Sequence, residues 1–268
     1  MTSLSKKILI TLATGISASA SSLLAQGEIK PPINVSAATG TDKAAVKQNM
    51  SYGLGFQNGE QFASYGFIAE DLDKEAYIQG LIEALMKKDF AKEPLAYDQA
   101  MKAYDKIVSD RERAFAKNNL EAEKVFLEKN GKRKEVITTG SGLQYEVITK
   151  GSGKKYTPPT GTVNGMDQAT EFFLKCKGNL LDGTIFMETP GDQAMPFNLQ
   201  VIHGLAEALK MMPVGSKWKL YVPASLGFGE LRQGPKISPN SMLIYEIELT
   251  DIQLRALQQG QPQPILPR

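Results

Sequence analysis

The chain has 268 residues, 42% of them hydrophobic, and a formal net charge of +2. That is enough chain for one large domain or two modest ones, and too little charge for a nucleic-acid surface. One cysteine and one histidine exclude an internal disulfide and leave too few ligands for a His- or Cys-rich metal site.

The first residues carry the pattern of an export signal. Lys6 and Lys7 form a basic start, residues 8-ILITLATGISA-18 a short apolar run, and 18-ASA-20 a small-residue cleavage site. Ala25 offers a second site, so the predicted signal peptide is 1–25 with cleavage after Ala20 or Ala25. The apolar run is shorter than the roughly 20 residues that a spanning helix needs, and no later run is longer, so no integral membrane segment is expected. Export with a single cysteine suits a periplasm better than a disulfide-dense extracellular module. Residues 26–43 lack helical period and read as a flexible leader.

A helical region is predicted over 44–95. Met50, Leu54 and Phe62 fall at helical spacing, although Gly53, Gly55 and Gly59 weaken that helix by about 1 kcal/mol each relative to Ala. The same glycines would let another backbone approach closely, including one from a second chain. The next helix, 71–89, has Asp71 and Asp73 as N-cap candidates and an apolar stripe of Tyr77, Leu81, Ile82 and Leu85. Pro94 separates it from a long helix over 96–132 with about 34 helical residues, on the order of 50 Å. Its apolar residues, among them Met101, Tyr104, Val108, Phe115 and Phe126, are sparse. It reads as an exposed arm linking two bodies, or as a helix folded back on its neighbours. Met86, Met101, Met211 and Met212 are expected in the core.

From 136 the period changes to two. Strands are predicted at 143–148, 172–177, 217–222 and 242–249, each with one apolar and one polar face, as in an antiparallel sheet. A short helix over 203–212 places Leu205, Leu209 and Met212 on one face. Trp218 falls in the core phase. The tail 253–268 is polar, proline-rich and expected to be flexible. The fold class is therefore α+β: helices first, then an antiparallel sheet with one short helix.

The phrases 140-GSGLQYEVITKGSG-153, 178-GNLLDGTIF-186, 208-ALKMMPVGSKWKLYVPASLGFGE-230 and 237-ISPNSMLIYEIEL-249 resemble an FKBP-type peptidyl-prolyl isomerase domain over 136–252. The phrase 51-SYGLGFQNGEQF-62, the Asp-capped helix and the long charged helix resemble FKBPs of the macrophage-infectivity-potentiator type. That resemblance implies a curved sheet around a short helix, a homodimer made through the N-terminal helices, and client proteins that are unfolded or contain proline. It implies no cofactor and no metal. Carried over residue by residue, it places Phe186, Met187, Ile202 and Phe228 at the reacting bond. Cys176, Phe197, Val201, Leu205, Ile237 and Tyr245 complete the pocket. The Ile202 N–H is the donor to the substrate carbonyl.

Three positions depart from the family pattern. Cys176 stands for the usual tyrosine, Met187 for the usual aspartate and Leu205 for the usual tryptophan. Loss of the aspartate implies reduced turnover, by roughly ten- to a hundredfold if one polar contact worth about 1.4 to 3 kcal/mol is missing. Cys176, in the apolar phase of its strand, reads as a small buried hydrophobe or as a thiol lining the pocket. His203 has no carboxylate near it in sequence and reads as a solvated or capping group rather than a base. Three functions fit: an exported dimeric isomerase that assists folding, a non-catalytic chaperone that keeps the fold for binding, and a surface protein that acts by interaction alone.

Overall fold

The computed structural model describes residues 43–88, 94–159, 167, 169–191 and 193–254. The predicted signal peptide, all but the last residue of the leader, and the tail from 255 onward lie outside the described residues. No helix among the described residues is long and apolar enough to cross a membrane.

The chain divides into two compact units, residues 1–62 with 67–109 and residues 63–66 with 110–268. The first holds α1 (Lys43–Ser64), a short turn of 3-10 helix (Ala69–Asp71), α2 (Lys74–Leu85) and the start of α3 (Pro94–Asn130). Helix α1 runs unbroken through Gly53, Gly55 and Gly59, and a Cβ added at any of the three would meet nothing within 4 Å. The close approach that these glycines permit is therefore not made among the described residues.

The two capping candidates have separate tasks. Asp73 is the N-cap of α2 and accepts from Ala76 N at 2.9 Å. Asp71 accepts from Ile68 N at 2.8 Å and from the Tyr104 hydroxyl, tying the 3-10 turn to α3. Around that tie lies a small aromatic cluster. Phe62 meets Phe67 and Tyr77 with ring centroids 5.5 and 5.7 Å apart, and Phe67 meets Tyr104 at 4.4 Å. The expected stripe of α2 is otherwise not covered. Leu81, Ile82 and Leu85 are exposed, and Met86 is exposed rather than in the core.

Seven antiparallel strands form the sheet of the second unit: β1 (Val136–Thr138), β2 (Gln144–Thr149), β3 (Thr170–Asn179), β4 (Ile185–Glu188), β5 (Met195–Phe197), β6 (Lys217–Val222) and β7 (Leu243–Leu254). Their order is β1-β2-β6-β7-β3-β4, with β5 also paired to β3. Strict alternation along β3 sends Phe172, Leu174 and Cys176 inward and Lys175 and Lys177 outward, as the period of two requires. Helix α4 (His203–Met211) lays Leu205, Ala208 and Leu209 on that inner face. Met212 and Trp218 are buried with them.

Strands β1, β4 and β5 lie outside the expected set, because three or four residues are too few to display a period. Strand β7 reaches Leu254, pairing Gln253 with Glu171 and Leu254 with Thr170. Two residues expected in the tail are thus part of the sheet.

The long helix runs through both compact units, as expected of a linking helix. It starts at Pro94 and ends at Asn130. From Asp110 onward it belongs to the second compact unit and is not a free arm. There Phe126 packs on Tyr221 with centroids 5.4 Å apart. Asn130 donates to Gln144 Oε1 at 2.9 Å, and Gln144 Nε2 donates back to Leu127 O at 3.1 Å. These anchors are polar or lone aromatics, so no apolar stripe announces them.

Candidate active site

All ten residues anticipated for the pocket fall in one apolar cluster. Cys176, Leu205, Ile237 and Tyr245 are buried in it, and Phe186, Met187, Phe197, Val201, Ile202 and Phe228 are half-buried against it. They come from β3, β4, β5, α4, β7 and the loops before α4 and between β6 and β7. The sheet register explains why they converge. Gly178 of β3 faces Met187 of β4 on one side and Tyr245 of β7 on the other. Residues opposed in this way share a face, so Met187, Tyr245 and Cys176, two residues back, look the same way.

Gly178 is the seat of the aromatic wall. A Cβ there would come 2.5 Å from Phe186 Cζ. The absent side chain is the space that the Phe186 ring occupies. A register shift between Gly178 and Asn179 brings that ring over the strand. The ring then meets Tyr245 edge to face, centroids 5.4 Å apart at 87°, a favoured aromatic geometry.

Cys176 is fixed by its neighbours. Its N–H donates to Thr189 Oγ1 at 3.1 Å, and its carbonyl accepts from Thr189 N at 2.9 Å. Burial pushes the thiol pKa up to about 12. At neutral pH the side chain is a protonated, weakly polar group. Tyr245 is raised as well, by burial first and by the neighbouring Cys176 second. Its hydroxyl has no hydrogen-bond partner among the described residues.

The floor depends on how closely α4 approaches the sheet. A Cβ on Gly204 would lie 2.6 Å from Val222 Cγ1. Glycine at that position lets Leu205 reach the core at 3% exposure. Ile202 is the N-cap of α4, and its carbonyl accepts from Ala206 N at 3.0 Å. Its own N–H has no acceptor among the described residues. It is therefore available to a ligand carbonyl, as a helix start commonly is. His203 is exposed and has no hydrogen-bond or ion partner among the described residues, which suits a bystander. An open groove of about 640 Å³ on the second unit, reaching from Asn118 to Lys129 of α3, shares none of the ten residues.

The arrangement is an apolar cluster with a free backbone donor beside it. Among the described residues, no group of three or more His, Cys, Asp or Glu side chains is placed to hold a metal. None of the ten pocket residues carries a carboxylate.

Known proteins share this plan. A family model for the domain amino-terminal to FKBP-type peptidyl-prolyl isomerases matches residues 47–147, and the model for the FKBP-type isomerase itself matches residues 166–250. The FKBP-type 22 kDa peptidyl-prolyl cis-trans isomerase of Escherichia coli is 47% identical over 78 residues, 28% of this chain and 37% of that protein. The outer membrane protein MIP of Legionella longbeachae is 43% identical over 81 residues, 30% of this chain and 35% of that protein. The matched stretch thus spans little more than a third of these curated relatives. The crystal structure of FkpA from Escherichia coli superposes with a TM-score of 0.51 and 27% identity, covering 81% of this chain and 99% of that one. Two consecutive family matches, in the order in which the helices and the sheet occur, place this chain in the family of FKBP-type peptidyl-prolyl cis-trans isomerases.

Proposed function

We propose that the chain is an exported peptidyl-prolyl cis-trans isomerase and folding helper with reduced turnover. It binds proline-containing segments of client proteins in the hollow between α4 and the sheet. The observation that carries this reading is the apolar cluster holding all ten pocket residues, with the unpaired Ile202 N–H beside it.

The chemistry needs little more. Rotation about an Xaa-Pro bond faces a barrier of roughly 18–20 kcal/mol and breaks no bond. The twisted amide has lost its resonance and is less polar than the planar one. An apolar hollow stabilises it relative to the planar amide, and a backbone donor on the carbonyl orients it. Phe186, Phe197, Leu205 and Tyr245 supply the apolar surface and Ile202 the donor. Met187 keeps the site apolar and adaptable where relatives place an aspartate, so polar positioning of the twisted carbonyl is missing.

A protease-coupled assay on a proline tetrapeptide tests the reading. Turnover below that of a relative with the aspartate is expected, and Met187→Asp should raise it about tenfold. A wild-type rate as high as the relative's would refute reduced turnover, and no rate in either form would refute catalysis.

A second reading, a non-catalytic chaperone that keeps the fold for binding, is favoured by the lack of a carboxylate among the ten residues. Suppression of aggregation of a proline-free client that survives Phe186→Ala would favour it. Export, and with it a periplasmic or outer-membrane-associated location, rests on the pattern of residues 1–25. A homodimer rests on the exposed apolar residues of α1 and α2, including Met50, Leu54, Leu81 and Leu85. These are faces that a second copy would cover.

A further inference from the structure

The loop between β6 and β7 supplies two pocket residues, Phe228 and Ile237, and helix α3 holds that loop at three points. Glu112 forms a two-pronged ion pair with Arg232, at 2.7 and 2.8 Å, with both side chains less than a fifth exposed. Asn119 places its amide nitrogen 2.9 Å from Ser238 Oγ and 2.8 Å from Pro239 O. Glu123 accepts from Ala224 N at 2.7 Å. Positions 112, 119 and 123 are separated by seven and four residues and therefore share one face of the helix.

Each contact leads by short steps to the rim. The carbonyl of Ala224, whose N–H Glu123 holds, accepts from Gly227 N and Gly229 N, both at 3.0 Å. Those two amides bracket Phe228. The turn that Asn119 holds returns to the same place, since Asn240 N donates to Gly229 O at 2.6 Å. Beyond Glu112, Arg232 is next to Leu231, whose N–H donates to Phe228 O at 3.3 Å. Ile237 lies between the Arg232 and Ser238 anchors. Between Glu230 and Lys236 every residue but Arg232 is exposed. Its exposed backbone would sample many conformations without α3.

We propose that Glu112, Asn119 and Glu123 of α3 are positioning residues that fix Phe228 and Ile237 at the pocket rim, so that the substrate-binding unit begins near residue 110. The consequence for catalysis rests on the isomerase reading. The geometry of the clamp does not.

Two readouts on the full chain separate them. In Asn119→Ala/Glu123→Ala, amide hydrogen exchange at Gly227 and Gly229 should speed up about tenfold or more, while the β3 and β7 amides hold. KM for a proline tetrapeptide should rise about fivefold with kcat within twofold, the signature of lost binding rather than lost chemistry. Glu123→Gln keeps an acceptor oxygen and should restore most of the loss seen in Glu123→Ala. Asn119→Ala alone serves if the double variant unfolds. Unchanged exchange at Gly227 and Gly229 in a folded variant overturns the clamp, as does equal behaviour of Gln and Ala at 123. A wild type without turnover defeats the isomerase reading, and the exchange readout still decides on the clamp.

Discussion

The two compact units answer the same problem, burial of apolar surface, in opposite ways. In the sheet unit Phe172, Leu174, Leu209, Leu220 and Ile247 are fully buried, and apolar and polar residues alternate along the long strands. In the helical unit α1 and α2 have no buried residue at all, and Leu85 is 74% exposed. A helix pair that leaves its apolar residues in water gains little from folding alone, since each buried aliphatic side chain contributes about 1.5–3 kcal/mol. The sheet unit is therefore stabilised from within, and the helical unit leaves most of the apolar residues of its first two helices uncovered among the described residues.

The largest effect that separates the two is core truncation. Phe172→Ala should destabilise the sheet unit by about 3–5 kcal/mol in urea unfolding. Leu85→Ala should stay within about 0.5 kcal/mol for a single chain. If a second copy covers α2, Leu85→Lys should lower the mass measured by light scattering toward one chain. A wild type that is already monomeric removes the second copy from the account of the helical unit.

Glycine sharpens the contrast, with a smaller effect and opposite signs. Gly178→Ala would drive a Cβ to 2.5 Å from the Phe186 ring. The ring must move, at a cost of about 1–3 kcal/mol, and kcat/KM should fall about tenfold. Gly53→Ala on α1 meets nothing within 4 Å and should stabilise the helix by about 0.5–1 kcal/mol. Loss of stability in Gly53→Ala would mean that the α1 backbone has a close neighbour in solution.

The same contrast decided what could be read from the sequence. The long strands were legible because burial on one face imposes a period of two, seen in Phe172–Leu174–Cys176 and Leu243–Tyr245–Ile247. The candidate pocket set comes from resemblance, through the spacing of turn glycines and apolar positions, and what the structure adds is that the ten residues gather in one apolar cluster. Gly178 as the seat of Phe186 was not, since a glycine's neighbour across a sheet leaves no mark on the chain. Nor were the contacts of α3. Glu112, Asn119 and Glu123 are spaced like a packing stripe, but they anchor by hydrogen bonds, and polar residues on a charged helix look like a solvated face. The aromatic cluster of Phe62, Phe67, Tyr77 and Tyr104 joins residues that local periodicity cannot connect.

Cys176 reports on the sheet core through pH. Its folded pKa, about 12, is raised above the ordinary thiol value of about 8.5. The buried, protonated thiol contributes its full stability below the unfolded value. That contribution is lost as pH rises toward the folded one, because only the unfolded chain releases the proton. Between pH 8 and 9.5 the wild type should lose about 1 kcal/mol more than Cys176→Ala. The thiol should also resist a disulfide reagent until the chain unfolds. Rapid labelling of the folded chain would mean that the thiol is open to the hollow and ionises there.

The smallest effect concerns Tyr245. Its ring packs edge to face on Phe186 and is 3% exposed, and its hydroxyl has no hydrogen-bond partner among the described residues. Removing a group that makes no bond in the free protein strands no other group, so Tyr245→Phe should change stability by less than about 0.5 kcal/mol. Its effect on catalysis depends on whether the hydroxyl meets the substrate. On the proposed reading, with Met187 where the resemblance implies an aspartate, that hydroxyl and the Cys176 thiol are the two polar side-chain groups among the ten candidate residues. A two- to threefold fall in kcat/KM at unchanged stability would assign it a contact made with substrate. An unchanged rate would leave the Ile202 N–H as the donor on which the twisted amide depends.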